Sequence, residues 1–279
     1  ELDTVVIPAG QHLVLDYSPP RMYMIIIFGS LTFARTDLHL QASYIFVHGG
    51  TLTVGTEQEP FEQSATITLF GNPVSQELPI YGAKLIACRE CTLDLHGKPV
   101  AHTWTHLASQ APKGSSELRL MKAVDWPVGA DIVIASTEEW DPLADQQPVD
   151  PLTEIRRPAP EKRTITHVSD DGKTLTLSEP LLFDHLGETR EYQTRDSMVP
   201  SSSGGEAVAQ FVEMRAEVAL LSRNVKIQGD DDSVAPALYG AQLMLHSIGH
   251  DSLVARIENI ELYRAGQYAR KERHPINFH

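Results

Sequence analysis

Ile27-Phe28-Gly29-Ser30-Leu31-Thr32-Phe33, Val47-His48-Gly49-Gly50-Thr51-Leu52-Thr53-Val54 and Ala87-Cys88-Arg89-Glu90-Cys91-Thr92-Leu93-Asp94-Leu95 share one form. Each is an apolar strand end, a tight turn and then a Leu-x-apolar run. Leu31 and Leu52 are 21 residues apart, and Leu52 and Leu93 are 41 apart, close to two further periods. Short strands recurring at about 20 residues mark a β-solenoid, in which each coil buries its inward side chains against its neighbours. The glycines fall where the chain turns or where two backbones approach closely. The expected fold is all-β, a right-handed parallel β-helix (β-solenoid) with an inserted small β-sandwich or barrel. A Greek-key sandwich is the competing arrangement, and the regular period argues against it.

The remaining β-branched and aromatic runs of the first hundred residues, at 4–7, 12–15, 23–28, 44–47, 66–70 and 84–87, are separated by Gly, Pro and Asn, as short strands are. From about Thr103 the pattern changes. Strands are expected at 118–120, 131–135, 164–168 and 174–177, with Asp170-Asp171-Gly172 as the hairpin turn between the last two. Residues 137–160 are rich in Pro, Asp and Glu, and 189–206 in Ser and Gly; both are expected as exposed loops. Strand-like runs resume at 224–229, 242–246, 256–263 and 276–279. The organisation expected is a solenoid domain over 1–102, a β-rich insert with a long acidic loop over 103–187, a polar loop re-entering the solenoid over 188–222, and further rungs over 223–279.

Among the 279 residues Lys and Arg number 23 and Asp and Glu 37, a net charge of −14. Nucleic acid and anionic lipid need a basic stripe, so neither is expected as a general partner. No apolar run approaches the roughly 18 residues that cross a bilayer; the most hydrophobic, 23–28, has the length of a buried strand. The start at Glu1, without Met or an apolar leader, is read as a removed signal peptide, and the stop at His279, just after a strand-like run, as a point within a longer polypeptide. Cys88 and Cys91 are the only two cysteines. Their spacing admits a disulfide across a tight turn, with free thiols or a redox or metal pair as the alternatives.

The glycines of the first hundred residues are Gly10, Gly29, Gly49, Gly50, Gly55, Gly71, Gly82 and Gly97. With YIFVHGGTLTVGTEQEPF at 44–61, ATITLFGN at 65–72, LPIYGAKLIA at 78–87 and TLDLHGKPV at 92–100, the chain resembles the fibrocystin family. TWTHLA at 103–108, DIVIAST at 131–137, RNVKIQG at 223–229, ARIENIELYRAGQ at 255–267 and RHPINFH at 273–279 extend the resemblance in order along the chain. It lapses at 138–160 and around 190–206. That family has an extracellular domain named for eight glycines, followed by parallel β-helix repeats. The resemblance implies an extracellular or cell-surface protein, part of a large secreted or membrane-anchored chain, acting in adhesion, reception or structure. The architecture is also similar to that of cell-surface hyaluronidases.

No H-E-x-x-H, G-x-S-x-G or phosphate-cradling loop occurs. His12, His39, His48 and His96 are expected in structural roles. If the chain has chemistry, the candidates are Glu258, Glu261, His274 and His279: glycoside cleavage uses two carboxylates roughly 5–9.5 Å apart, and an elimination needs a base and a cation. Arg256, Arg264, Arg270, Lys271 and Arg273 form a basic island in an acidic chain and are the candidate glycan contacts. Asp230, Asp231 and Asp232 lack the spacing of a calcium loop. No cofactor is expected, calcium being the one ion this run would suit. The function expected is an adhesion or structural module that contacts matrix glycans or another surface protein, the alternative being a glycan depolymerase.

Overall fold

The computed structural model describes residues 2–137, 159–194, 208–232, 237–249 and 252–279. The greater part of the two expected loops, 138–158 and 195–206, lies outside the described residues. The elements described are strands throughout. The chain divides into two compact units, one of Glu1–Pro99 with Arg223–His279 and one of Val100–Ser222.

The first unit holds β1 (Thr4–Ile7), β2 (His12–Leu15), β3 (Met22–Ile27), β4 (Ser30–Phe33), β5 (Leu38–His48), β6 (Thr51–Val54), β7 (Ala65–Leu69), β8 (Leu85–Arg89) and β9 (Thr92–His96). In the second lie β10 (Trp104–His106), β11 (Glu117–Arg119), β12 (Asp131–Ile134), β13 (Glu161–Val168), β14 (Thr174–Leu177), β15 (Thr189–Thr194), β16 (Val208–Glu213) and β17 (Glu217–Leu220). The first unit resumes with β18 (Val225–Gly229), β19 (Gln242–His246), β20 (Val254–Glu258), β21 (Ile260–Tyr263) and β22 (Ile276–Phe278).

In the first unit the strand pairing is parallel. One sheet runs β2-β4-β6-β9-β20 and the other β21-β18-β7-β5-β8-β19-β22, with β3 and then β1 added to β5. The 11-residue β5 joins two branches: Leu38–Ala42 pairs with β7, and Tyr44–His48 pairs with β8. The three strands β7, β8 and β9 then pair in order with β18, β19 and β20. Leu31, Leu52 and Leu93 stand in register on β4, β6 and β9 and are buried in one core with Ile27, Val47, Ile67 and Leu95. Each such side chain contributes about 1.5–3 kcal/mol by leaving water. The 41-residue step from Leu52 to Leu93 is thus one step of the stack and not two. The extra length forms β7, β8 and the 70–84 loop.

The turns before β4, β6, β9 and β20 lie directly over one another. Ser30 N donates to Gln11 O, Thr51 N to Gly29 O, Thr92 N to Gly50 O and Val254 N to Cys91 O, each at 2.9 Å. Such an approach leaves no room for a side chain. A Cβ on Gly29 would sit 2.2 Å from Gln11 O, and one on Gly50 2.5 Å from Gly29 O. At the third turn Cys91 is joined to Cys88 by a disulfide, with Cα atoms 5.5 Å apart and Glu90 between them at φ 49°.

In the second unit six antiparallel strands run β10-β17-β12-β13-β14-β11, and a Leu107–Leu120 bridge links the two ends of that order, so the sheet curls on itself. The chain's sheets are therefore partly parallel and partly antiparallel. Leu107, Leu118, Trp126, Ile132, Ile134 and Leu175 fill its core. β13 and β14 flank the expected Asp170-Asp171-Gly172 turn. The 188–222 stretch, read from sequence as a polar re-entry loop, instead supplies strands. β15 pairs antiparallel with β16, and β17 lies between β10 and β12. Thr, Tyr and Val in 189–194 and 208–213 favour that pairing over the local Ser/Gly signal.

A charged group is sealed into this unit. Glu161 accepts from Leu182 N at 2.8 Å, Phe183 N at 2.9 Å and the Arg163 guanidinium, and its Oε1 is 2.9 Å from His185 Nε2. His185 is fully buried, and its Nδ1 lies 2.8 Å from Ala135 O. Burial pushes the Glu161 carboxyl up, but these donors outweigh it and hold the group below its ordinary value.

Two expectations follow. Gly50→Ala should lower stability by about 2 kcal/mol or more in chemical unfolding, since the collision is with backbone; a loss no larger than that of Thr53→Ala would show that the corners are not stacked this closely. For Glu161, a depressed folded value gives stability that is complete above the ordinary Glu range near pH 4.3 and is lost as pH falls through the folded value. Glu161→Gln should cost about 3 kcal/mol at pH 7 and flatten the decline in melting temperature between pH 5 and pH 3. An unchanged decline would remove Glu161 as its source.

Candidate functional site

The basic residues between β21 and β22 are held by an unusual backbone. Arg264, Ala269 and Glu272 have φ of 51°, 56° and 59°, the left-handed region that side chains disfavour. What fixes Arg264 is its carbonyl, which accepts from Ala241 N at 2.9 Å. It lies where a Cβ on Gly240 would come within 2.4 Å of it. The guanidinium is thereby directed to Asp231, with Tyr263 beneath it at 4.8 Å.

Arg270 and Arg273 converge on a single acid. Arg270 bonds Glu77 at 2.6 Å and lies 5.0 Å from the Tyr239 ring, and Arg273 stands 3.7 Å from the other oxygen of Glu77. Arg273 also lies against Gly82, where a Cβ would be 2.9 Å from its guanidinium carbon. Two cations share one carboxylate, so this surface retains an excess of positive charge. Lys271 is exposed beside Glu272. A shallow depression of about 390 Å³ is lined by Arg264, Gln267, Tyr268, Arg273 and His274, among others. Gln267 is buried, and its amide donates to Ala83 O at 3.0 Å.

Arg256 lies apart from this group. It is on β20, in the five-stranded sheet, bonded to Asp94 of β9 at 2.9 Å. The five candidate glycan contacts therefore form one cluster of four and one separate residue.

The candidates for chemistry are not brought together. Glu258 ends β20 in the five-stranded sheet. Glu261 lies in the nine-stranded sheet, bonded to Lys226 at 3.0 Å and accepting from Arg223 N at 3.1 Å. Asn259, left-handed at φ 53°, turns the chain between them. His274 lines the depression, and the His279 ring packs edge-on against His246 at 5.0 Å. The nearest approach to a reactive group is at His96, expected from sequence in a structural role. It is buried, with Nδ1 3.7 Å from Glu258, Nε2 3.7 Å from Asp94, and neither nitrogen hydrogen-bonded. Its signal was the alternation of β9, which puts Asp94 and His96 on one face opposite Leu93 and Leu95.

Two of the three acids of the 230–232 run are engaged in ion pairs. Asp230 bonds the fully buried Lys84 at 2.6 Å, and Lys84 also donates to Tyr239 O at 2.9 Å. Burial pushes the Lys84 ammonium down against the opposing pull of Asp230. Asp231 holds Arg264, and Asp232 lies beside Asn72 and Ser75 in a second depression. Among the described residues no three His, Cys, Asp or Glu side chains converge as a metal site requires.

Residues 1–108 match the G8 domain family. Over 99% of its length the chain is 37% identical to Fibrocystin-L of Homo sapiens, and over 98% it is 36% identical to that of Mus musculus. Protein rliB of Dictyostelium discoideum is 26% identical over 99% of the chain, which covers 22% of it. The chain spans 7% of the length of each Fibrocystin-L protein it matches. The chain is thus similar to the G8 domain family over residues 1–108 and to Fibrocystin-L along nearly all of its own length.

Proposed function

We propose that the chain is an extracellular module whose first unit is a right-handed parallel β-helix, and that it binds acidic matrix glycans and has an adhesive or structural role. The observation that carries the binding half is the sharing of Glu77 by Arg270 and Arg273. In a chain of net charge −14 it leaves an excess cation beside a depression that Arg264, Arg273 and His274 line. Guanidinium groups pair with carboxylates through directed, charge-assisted bonds. The β-helix reading draws on the parallel registers, on the chain order of β7, β8 and β9 repeated in β18, β19 and β20, and on the handedness general to parallel crossovers. An extracellular setting accords with the Cys88–Cys91 disulfide, a bond that persists in oxidising compartments.

Hydrolysis of a glycosidic bond would need two carboxylates at that bond, and Glu258 and Glu261 lie on different sheets. The group at His96 is the place to look for chemistry if glycan is shortened.

A hyaluronan oligosaccharide should bind weakly at 50 mM salt and lose most of its affinity at 300 mM, because exposed charges are screened within about 10 Å at 0.1 M. Arg264→Gln with Arg273→Gln should weaken binding about fivefold or more while the circular dichroism is unchanged. Binding indifferent to salt and to both substitutions would overturn the glycan reading. Shortening of hyaluronan that is lost in Glu258→Gln would replace it with a depolymerase.

A further inference from the structure

A second surface of the first unit has a composition that neither the arginine cluster nor the core explains. Four strands of the nine-stranded sheet end on an apolar residue followed by an outward basic or imidazole side chain: Val47-His48, Cys88-Arg89, Leu245-His246 and Phe278-His279. Parallel register aligns the second residues. His48 is opposite Arg89, and Arg89 opposite His246. One place beyond the ladders of β19 with β22 and of β3 with β5, His279 follows His246 and Phe28 precedes His48. The result is a column of five side chains across five strands, about 19 Å long at the usual strand spacing.

The column is in ring contact at both ends and reaches solvent. The Phe28 and His48 rings are 5.8 Å apart, and those of His246 and His279 are 5.0 Å apart. The Tyr81 hydroxyl supports His246 Nδ1 at 2.9 Å, and Phe46 packs on both His48 and Tyr81. Phe28 and His279 are exposed, and His48, Arg89 and His246 are half-buried. Arg89 is the fixed cation. Its Nε makes no hydrogen bond, and the carboxylate beside it is Glu90, at 3.9 Å. The titratable or charged groups facing the column are thus Glu90 and Tyr81.

We propose that the column Phe28–His48–Arg89–His246–His279 is a binding strip for an acidic polysaccharide, and that it holds the ligand more tightly as pH falls below neutral. It takes its ligand class from the proposed function but uses none of the residues of the arginine cluster. Near pH 7.5 the strip presents one fixed cation beside one carboxylate. Imidazole as a class gains its charge between pH 8 and pH 5, so acidification adds positive charge along the row. Burial, with the neighbouring charges of His279 and Arg89, holds His246 below the ordinary imidazole value, and an anion lying against it would favour its charged form. A linear polymer with regularly placed anions matches a linear row of cations, each weak contact adding to the next. The rings flanking the row offer the stacking surface that a sugar face takes.

The test is titration of a heparin oligosaccharide, whose sulfates stay charged, into the whole protein at pH 7.5 and pH 5.5 in equal salt. At the usual worth of exposed pairs, the positive charge gained along the row should tighten binding about tenfold. His48→Gln with His279→Gln should remove most of that gain, while His12→Gln, on the other sheet, should leave the gain intact. Arg264→Gln with Arg273→Gln should weaken binding at both pH values and keep the gain. A gain that survives His48→Gln with His279→Gln, with folding confirmed by circular dichroism, overturns the strip. Binding at pH 7.5 with no gain at pH 5.5 overturns the strip but leaves the arginine cluster standing. A gain that depends on His48 and His279 in protein indifferent to the arginine substitutions supports the strip and overturns the cluster.

Discussion

The first unit depends on how closely its corners approach. Gln11, Gly29, Gly50 and Cys91 each offer a carbonyl to the strand of the next level, at 2.9 Å in every case. A Cβ at Gly29 or Gly50 would meet the backbone oxygen of the level before, so glycine is a steric requirement of the stack. Once these contacts are made, the register of the strands on either side is fixed. A slip of one residue would carry every inward side chain to the outer face. The buried column Leu31–Leu52–Leu93 and the outward pair Asp94–Arg256 follow from the same few bonds. At the third corner a disulfide and a left-handed Glu90 shape the turn, while Cys91 still offers its carbonyl to Val254.

The stack is also interrupted in sequence without losing register. The chain leaves the first unit after Pro99 and returns at Arg223, and β18 to β20 settle on β7 to β9 as though nothing intervened. Asn224 secures the return. Its amide donates to Phe61 O and Gln63 O, both at 2.7 Å, and its oxygen accepts from Lys98 N at 2.8 Å. One side chain thus satisfies three backbone groups that an interrupted sheet would leave unpaired. The buried Lys84–Asp230 bond ties the 70–84 loop to the returning strand in the same way.

The strands and their inward leucines were legible because alternation and glycine spacing are local signals. The change of partner along β5 was not, since its apolar pattern is the same whether it faces β7 or β8. That is why the 41-residue step looked like two levels. The candidate site was less legible still. Glu258 and Glu261 are close in sequence, and only the turn at Asn259 sends them to different sheets. The acids that the basic island meets, Glu77 and Asp231, are remote from it in sequence. Register brings such partners together, and composition does not reveal register.

Parallel in-register stacking also determines where positive charge can accumulate on so acidic a chain. An arginine that meets an acid on a neighbouring level, as Arg256 meets Asp94, is largely neutralised at every pH near 7. A side chain repeated at one register position behaves differently, because its neighbours above and below are of its own kind. For a permanent cation such a row would be costly, like charges on adjacent strands being mutually destabilising. Imidazole avoids that cost while neutral and can accept charge when an anion lies against it. The row of His48, Arg89, His246 and His279 contains one permanent cation among three conditional ones. That composition lets a parallel stack keep a potential anion-binding row without destabilising itself at neutral pH.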